Sequence, residues 1–389
     1  MNRFRYFSIL LLLLCSIGQL HAIECGADQI GKVASLLEGK RVGLIINHTS
    51  VVGESQVCLL DTLLSLGIDV VRVFAPEHGF RGDADAGESV ADGRDAKTNT
   101  PIISLYGANK RPSEEQLSGL DVVLFDIQDV GARFYTYIST MYYAMQSCSL
   151  YGVSMIVLDR PNPNDYVDGP IISDDLFSFV GALPIPILHG LTVAELACMI
   201  NGEGWCGQLP VDLSVVPIVG WSHGKEYVLP IKPSPNLPNA QAIALYPSLC
   251  LFEATKVSVG RGTYMPFQIL GFPDPKFGSF EFTPQPLAGF DKNPLQKGKR
   301  CYGVDLRNAR PPKGFSLQYF IDFMQRSSQG AAFISSTQLF NMLSGDKELK
   351  GMLVAGMSEE QIKATWAEEL AEYRKMRKKY LLYPDYLGE

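Results

Sequence analysis

Between residue 42 and about residue 221 the chain repeats one grammar: a short apolar run rich in β-branched residues, an abrupt polar stop, then a stretch of helical spacing. The apolar runs fall at 42–46, 70–74, 102–105, 122–127, 155–158, 185–188 and 215–219. Helical patterns lie between several of them, at 59–66, 137–150 and 193–201. Thr192 and Glu195 stand three residues apart at the start of the last, the spacing of a capping box. A strand with one wet face alternates apolar and polar residues, and these runs do not. Near-continuous apolar strands separated by helices require cover on both faces, so the expected fold is α/β with a mostly parallel, Rossmann-like sheet.

The polar residues just past each strand carry the functional information. The first run leads into Asn47 and His48, and the second into Glu77 and His78, with Arg81 just beyond. The fourth ends in Asp126 and continues into Gln128, Asp129 and Arg133. The fifth gives Asp159, Arg160 and Asn162, and the sixth His189. Ligands of open parallel sheets bind at the carboxyl ends of the strands. Five polar strand ends therefore predict one shared crevice.

Beyond Trp221 the texture changes. A rigid Pro-rich segment at 233–238 contains Asn236, Glu253 comes next, and Arg261 sits in a Gly-rich loop at 260–263. A Pro/Gly-rich stretch covers 273–298, and 359–379 is strongly helical, with its basic 374–379 stretch expected on an exposed face. The division expected is a signal peptide at 1–22, a Rossmann-like subdomain at 23–240 and a smaller α/β (α+β) subdomain at 241–389, with the active cleft between the two.

The signal peptide is read from Arg3 and Arg5 ahead of an apolar run at 6–14, closed by the small residue Ala22. That run is short for a membrane span, so the expectation is an exported protein, periplasmic or extracellular, with no stable membrane insertion after cleavage. The net charge of −7 and the absence of a basic block in the first three hundred residues argue against nucleic-acid partners. Seven cysteines lie beyond the leader with no CxxC pair, which speaks against a structural zinc site. Cys58, Cys148 and Cys198 fall in or beside apolar helical patterns and read as buried small hydrophobes.

No GxGxxG, Walker loop, HExxH or GxSxG is present. Ser222 and Lys225 match only the bare SxxK spacing, without its companion signals. Carboxylates remain. Glycoside cleavage needs one carboxylic acid to protonate the leaving oxygen, with a second group as nucleophile, base or positioning residue. Glu77, between Pro76 and His78 at a strand end, is the acid candidate, and Asp126, Asp129 and Asp159 are the candidate partners. Two other readings use the same cleft. One is a metal-assisted hydrolase with Glu77, His78, Asp83, Asp85 and Asp126 as ligands; the other is a non-catalytic sugar-binding receptor.

The same segments resemble the NamZ-type exo-β-N-acetylmuramidases, a family long carried as a domain of unknown function. The runs are GLIINHT (43–49), FAPEHGFRG (74–82), LFDIQDVGARFYTYI (124–138), LDRPNP (158–163), HGLTV (189–193), PSPN (233–236) and VGRGT (259–263). The resemblance covers residue 40 to the C-terminus. It implies exo-lytic release of a non-reducing terminal β-1,4-linked N-acetylmuramic acid from peptidoglycan-derived saccharides, with no cofactor or metal. It implies Glu77 as catalytic, with Asp126 and Asp159 as partner candidates. Asn47, His48, His78, Arg81, Gln128, Arg160, Asn162, His189, Asn236, Glu253 and Arg261 are the substrate-binding candidates. Ala254-Thr255-Lys256 after Glu253 departs from the Gly-Thr-Asn expected there, which bears on substrate preference. Arg81, Arg133, Arg160 and Arg261 are the candidates for the lactyl carboxylate of muramic acid, since a guanidinium can grip a carboxylate with two hydrogen bonds.

Overall fold

The computed structural model describes residues 23–77, 79–80, 92–107 and 109–385. The expected signal peptide, His78, Arg81, Asp83 and Asp85 lie outside the described residues. Strands of the large sheet are β1 (Arg41–Ile46), β2 (Asp69–Ala75), β3 (Gly93–Arg94), β4 (Pro101–Ser104), β5 (Val122–Asp126), β6 (Ser154–Leu158) and β9 (Leu213–Val216); β7 (Val167–Ile171) and β8 (Pro186–His189) form a separate antiparallel pair. The sheet order is β9-β6-β5-β1-β2-β4-β3, parallel throughout except for the short edge strand β3. Strand order reverses at β1, which has β2 on one side and β5 on the other. This is a doubly wound sheet with its switch point between β1 and β5.

Alternate residues of each strand feed opposite faces. Val122 and Leu124 of β5 pack with Val33 and Leu37 of α1 (Ile30–Leu37) and with Leu59 and Leu63 of α2 (Leu59–Ser65). Val123 and Phe125 turn the other way, onto Met141 and Ala144 of α3 (Tyr137–Tyr151) and Leu196 and Met199 of α4 (Val193–Gly202). All four β5 side chains are fully buried, which is why none of that strand is polar until Asp126. The capping box on α4 forms as expected: Thr192 Oγ1 accepts from the Glu195 amide, and Glu195 reaches back to the Thr192 amide at 2.9 Å.

One strand lies outside the parallel sheet expected of it. The run at 185–188 forms β8, which pairs with β7 instead. A short buried apolar run does not state which partner it takes, and β7 itself, with Asp168-Gly169-Pro170 inside it, has poor strand composition.

The remaining chain forms α5 (Ala240–Leu249), a three-stranded antiparallel sheet of order β10-β12-β11 (Ile269–Phe272, Cys301–Asp305, Phe280–Phe282), and helices α6 (Gln318–Ser327), α7 (Thr337–Ser344) and α8 (Ala367–Arg377). Its aromatic centre, with Phe252, Phe320 and Phe323, is continuous with the α3–α4 side of the large sheet. Arg133 fastens the junction. Its buried guanidinium donates to the carbonyls of Pro170, Ile185, Leu343 and Ser344 at 2.7–3.1 Å, and burial without a carboxylate lowers its pKa to about 9. Cys148 is buried as expected, whereas Cys58 and Cys198 are only partly so.

Candidate active site

The polar strand ends separate into two groups. The first surrounds Glu77, which leaves the end of β2. Its Oε2 accepts from Thr136 Oγ1 at 2.8 Å, and burial together with the neighbouring Glu77 carboxylate raises the pKa of Tyr106. Thr136 occupies the N-cap position of α3 but makes no side-chain cap there. Its hydroxyl serves Glu77 instead of its own helix.

Glu77 opens onto a cavity of about 150 Å³. Phe134, Tyr135, Tyr137, Tyr246 and Phe267 supply an aromatic wall, interlocked edge to face at 4.9–5.2 Å for the Phe134–Tyr246, Tyr135–Tyr137 and Tyr246–Phe267 pairs. The Pro-rich segment contributes Ser234, Asn236 and Leu237, held in place where Tyr135 donates to the Pro233 carbonyl at 2.8 Å. Asn236 donates to the Phe290 carbonyl at 3.1 Å, while its buried Oδ1 has no hydrogen-bond partner among the described residues. The Gly-rich loop adds Arg261. Gly260 there has φ +83°, and a Cβ on it would sit 2.6 Å from the Met265 carbonyl, so glycine is required for the turn. Arg261 Nε meets Glu253 Oε1 at 2.6 Å, and the guanidinium stacks 5.2 Å from the Phe267 ring centroid. No other hydrogen bond from this guanidinium is made among the described residues, so its two terminal amino groups are available to a ligand. Burial opposes its charge, but Glu253 outweighs that and raises its pKa.

The second group is turned inward. Asp126 is fully buried and receives Arg160 through two hydrogen bonds, at 2.6 and 2.8 Å. Asp159 accepts from Thr192 Oγ1 at 2.8 Å, from the Ala194 amide at 3.0 Å and from the Tyr383 hydroxyl; burial and the nearby Glu195 raise its pKa to about 7. None of the expected partners of Glu77 (Asp126, Asp129 and Asp159) lines the cavity. Asn47 accepts from the amide and hydroxyl of Thr49. Gln128 donates to the Asp129 and Pro161 carbonyls at 2.8 Å. Asn162 donates to the Leu191 carbonyl and crowds Gly131, where a Cβ would lie 2.1 Å from its Oδ1. His189 Nδ1 accepts from the Leu191 amide at 3.3 Å, which places its proton on Nε2, facing Asp129 Oδ2 at 3.5 Å. Asn47, Gln128, Arg160, Asn162 and His189 thus make their contacts within the fold and do not line the Glu77 cavity, with Asn47 Nδ2 and His189 Nε2 left without a hydrogen-bond partner among the described residues. His48 bonds the Lys232 carbonyl at 2.8 Å and so ties β1 to the Pro-rich segment.

Of the sequence candidates, Glu77, Asn236, Glu253 and Arg261 share the cavity. Thr136 and the aromatic wall are cavity residues that strand ends alone do not reveal. Their signal is the FYTY run (134–137), which places four consecutive residues on the cavity. Three larger hollows, of about 290, 440 and 450 Å³, lie elsewhere and are lined by none of the candidates. The smaller cavity is the site because a carboxyl, a guanidinium and an unpaired amide oxygen converge there. The metal-ligand set loses Asp126 to Arg160.

Comparison with known proteins agrees with this geometry. Residues 42–241 match the model described as exo-beta-N-acetylmuramidase NamZ, N-terminal, and residues 244–383 match its C-terminal counterpart. The peptidoglycan beta-N-acetylmuramidase NamZ of Bacillus subtilis (strain 168) is 38% identical over 368 residues, which cover 89% of this chain and 88% of that protein. Two crystal structures of DUF1343 family proteins from Bacteroides fragilis NCTC 9343 superpose with TM-scores of 0.85 and 0.80, at 43% and 29% identity. They cover 94% and 93% of this chain, and 99% of each neighbour. A doubly wound sheet, an acid at the end of β2 and a cavity closed by the C-terminal part all fall within matched sequence: the chain belongs to the NamZ exo-β-N-acetylmuramidase family.

Proposed function

We propose that this glycoside hydrolase releases single N-acetylmuramic acid residues from the non-reducing ends of β-1,4-linked peptidoglycan fragments, with Glu77 as the general acid. The observation that carries the reading is the meeting of Glu77 and Arg261 in one cavity on the scale of a single sugar ring. Glu77 gives its proton to the glycosidic oxygen as the bond to C1 breaks, and water supplies the hydroxyl that C1 gains. Arg261, braced by Glu253, offers its terminal amino groups to the lactyl carboxylate, the group that distinguishes muramic acid from N-acetylglucosamine. Of the four candidate arginines, Arg133 and Arg160 are consumed inside the fold and Arg81 lies outside the described residues. The unpaired Asn236 Oδ1 is an acceptor for a sugar hydroxyl or the acetamido N–H. The Pro-rich and Gly-rich segments both wall the cavity, an arrangement suited to a terminal sugar.

Export belongs to the same proposal. It is supported by the charged, then apolar, then small-residue pattern of residues 1–22, and among the described residues no helix is long and apolar enough to cross a membrane. Incubation with a MurNAc–GlcNAc disaccharide tests the activity: free N-acetylmuramic acid and N-acetylglucosamine should accumulate in equal amounts. With intact glycan strands, rapid appearance of medium-length fragments would defeat the exo reading. N-terminal sequencing of the protein recovered outside the cytoplasm tests the leader.

A further inference from the structure

Glu77 has a second side. Its charge is felt by the Tyr106 phenol, and Tyr106 begins a row of rings: Phe179 at 6.2 Å, then Tyr143 stacked 6.1 Å beyond. Val180, next to Phe179, lines the cavity itself, so the row is continuous with the site. Two cations lie on these rings. Lys110 Nζ stands 4.7 Å from the Phe179 centroid, and the Arg111 guanidinium 5.1 Å from that of Tyr143. Neither is paired with a carboxylate among the described residues; Arg111 instead donates to Gln146 Oε1 at 2.6 Å. Cations held against aromatic faces keep their outward sides for an anion.

We propose that Lys110 and Arg111, on the Phe179–Tyr143 row, form a leaving-side subsite for a carboxylate on the second sugar beyond the scissile bond. The inference rests on the exo-muramidase reading of Glu77. With the terminal muramic acid in the Arg261 cavity, the leaving chain must depart on the opposite side of the acid, along this row. From Thr136 to Tyr143 the helix α3 advances about 10 Å, the span of a disaccharide step. In an alternating glycan the first leaving sugar is neutral N-acetylglucosamine, and the second is again muramic acid. It carries a carboxylate on its lactyl group or at the end of its peptide stem.

The test compares p-nitrophenyl β-MurNAc, the MurNAc–GlcNAc disaccharide and the alternating tetrasaccharide, the last with and without peptide stems. Enzyme and the double variant Lys110→Met, Arg111→Met are assayed on each. The wild type should prefer the tetrasaccharide, and the variant should lose about tenfold in kcat/KM on it, the worth of one charge-assisted hydrogen bond. Its rates on the aryl glycoside and the disaccharide should hold, and the wild-type preference should shrink with added salt. A loss confined to the stem-bearing substrate assigns the peptide carboxylate, and a loss confined to the stem-free one assigns the lactyl carboxylate, which is an amide once a stem is attached; an equal loss on both shows that the subsite takes either carboxylate. Equal wild-type rates on disaccharide and tetrasaccharide, or a variant impaired alike on every substrate, would overturn the subsite. A wild type that releases nothing from the disaccharide or the aryl glycoside overturns the enzymatic reading, and the subsite falls with it.

Discussion

The Glu77 cavity and the buried cluster behind the sheet use the same residue types for opposite ends. Around Glu77, a carboxyl is held by the Thr136 hydroxyl and faces open space. Behind the sheet, His223 bridges Asp165 at 2.9 Å and Glu195 at 3.0 Å, while Asp126 is closed off by Arg160. Both regions grow from polar strand ends or the loops near them. The difference lies in whether the remaining polar atoms find protein or cavity. A charge whose partners are all protein has become part of the scaffold, and removing one partner strands the other.

If that distinction holds, substitutions in the two regions should fail in different ways. Glu77→Gln should lower N-acetylmuramic acid release by about 10²–10⁴-fold with an unchanged unfolding midpoint; near-wild-type turnover by a folded variant would remove Glu77 from the chemistry. Asp126→Asn should behave the other way round, losing about 3–5 kcal/mol of stability in denaturant titration because Arg160 is left buried without its countercharge. Its turnover per folded molecule should stay near wild type, and a selective loss of kcat would return Asp126 to the active site. Arg261→Lys should raise KM about tenfold while sparing the fold, since an ammonium cannot reproduce a two-point grip; an unaltered KM would move carboxylate recognition elsewhere.

The smallest effect is a slope with pH. Burial opposes the charge on His223, but its hydrogen bonds to Asp165 and Glu195 outweigh that and raise its pKa to about 9. The unfolded chain releases this proton near pH 6.5. Between those values the folded state binds more protons, so stability is lost as pH rises, by at most about 1.4 kcal/mol per pH unit. His223→Gln should flatten the melting temperature across pH 6.5–9. A variant with the same slope as wild type would show that another group is responsible.

The large sheet was legible because strands covered on both faces leave a continuous apolar signature, and Val122 to Phe125 meet that demand on each side. The site was only half legible. Polar residues after strands look alike in sequence whether they face a ligand or each other. A usable signal was present for one pair: Asp126 ends β5 and Arg160 stands just past β6, and these are neighbouring parallel strands. Strands lie about 4.8 Å apart, so opposite charges at their ends readily meet. Arg377 shows the same limit. Its basic stretch reads as an exposed face, yet Arg377 is buried, bonding the Gly190 carbonyl at 2.7 Å and pairing with Asp385. Nothing in the local charge pattern separates it from the exposed Lys375 two residues earlier.

The same C-terminal stretch sets an order of events for the growing chain. Asp159 and Glu195, both near the sheet, receive the Tyr383 hydroxyl and the Leu382 amide, and Tyr373 reaches the His189 carbonyl at 2.9 Å. During synthesis the first half is made well before these partners exist. A nascent chain that has completed every strand of the large sheet therefore still holds carboxylates whose donors have not left the ribosome. Closure waits for residues 373–383, so a ribosome that stops short of them yields a chain with its sheet built and with Asp159 and Glu195 each short of one donor.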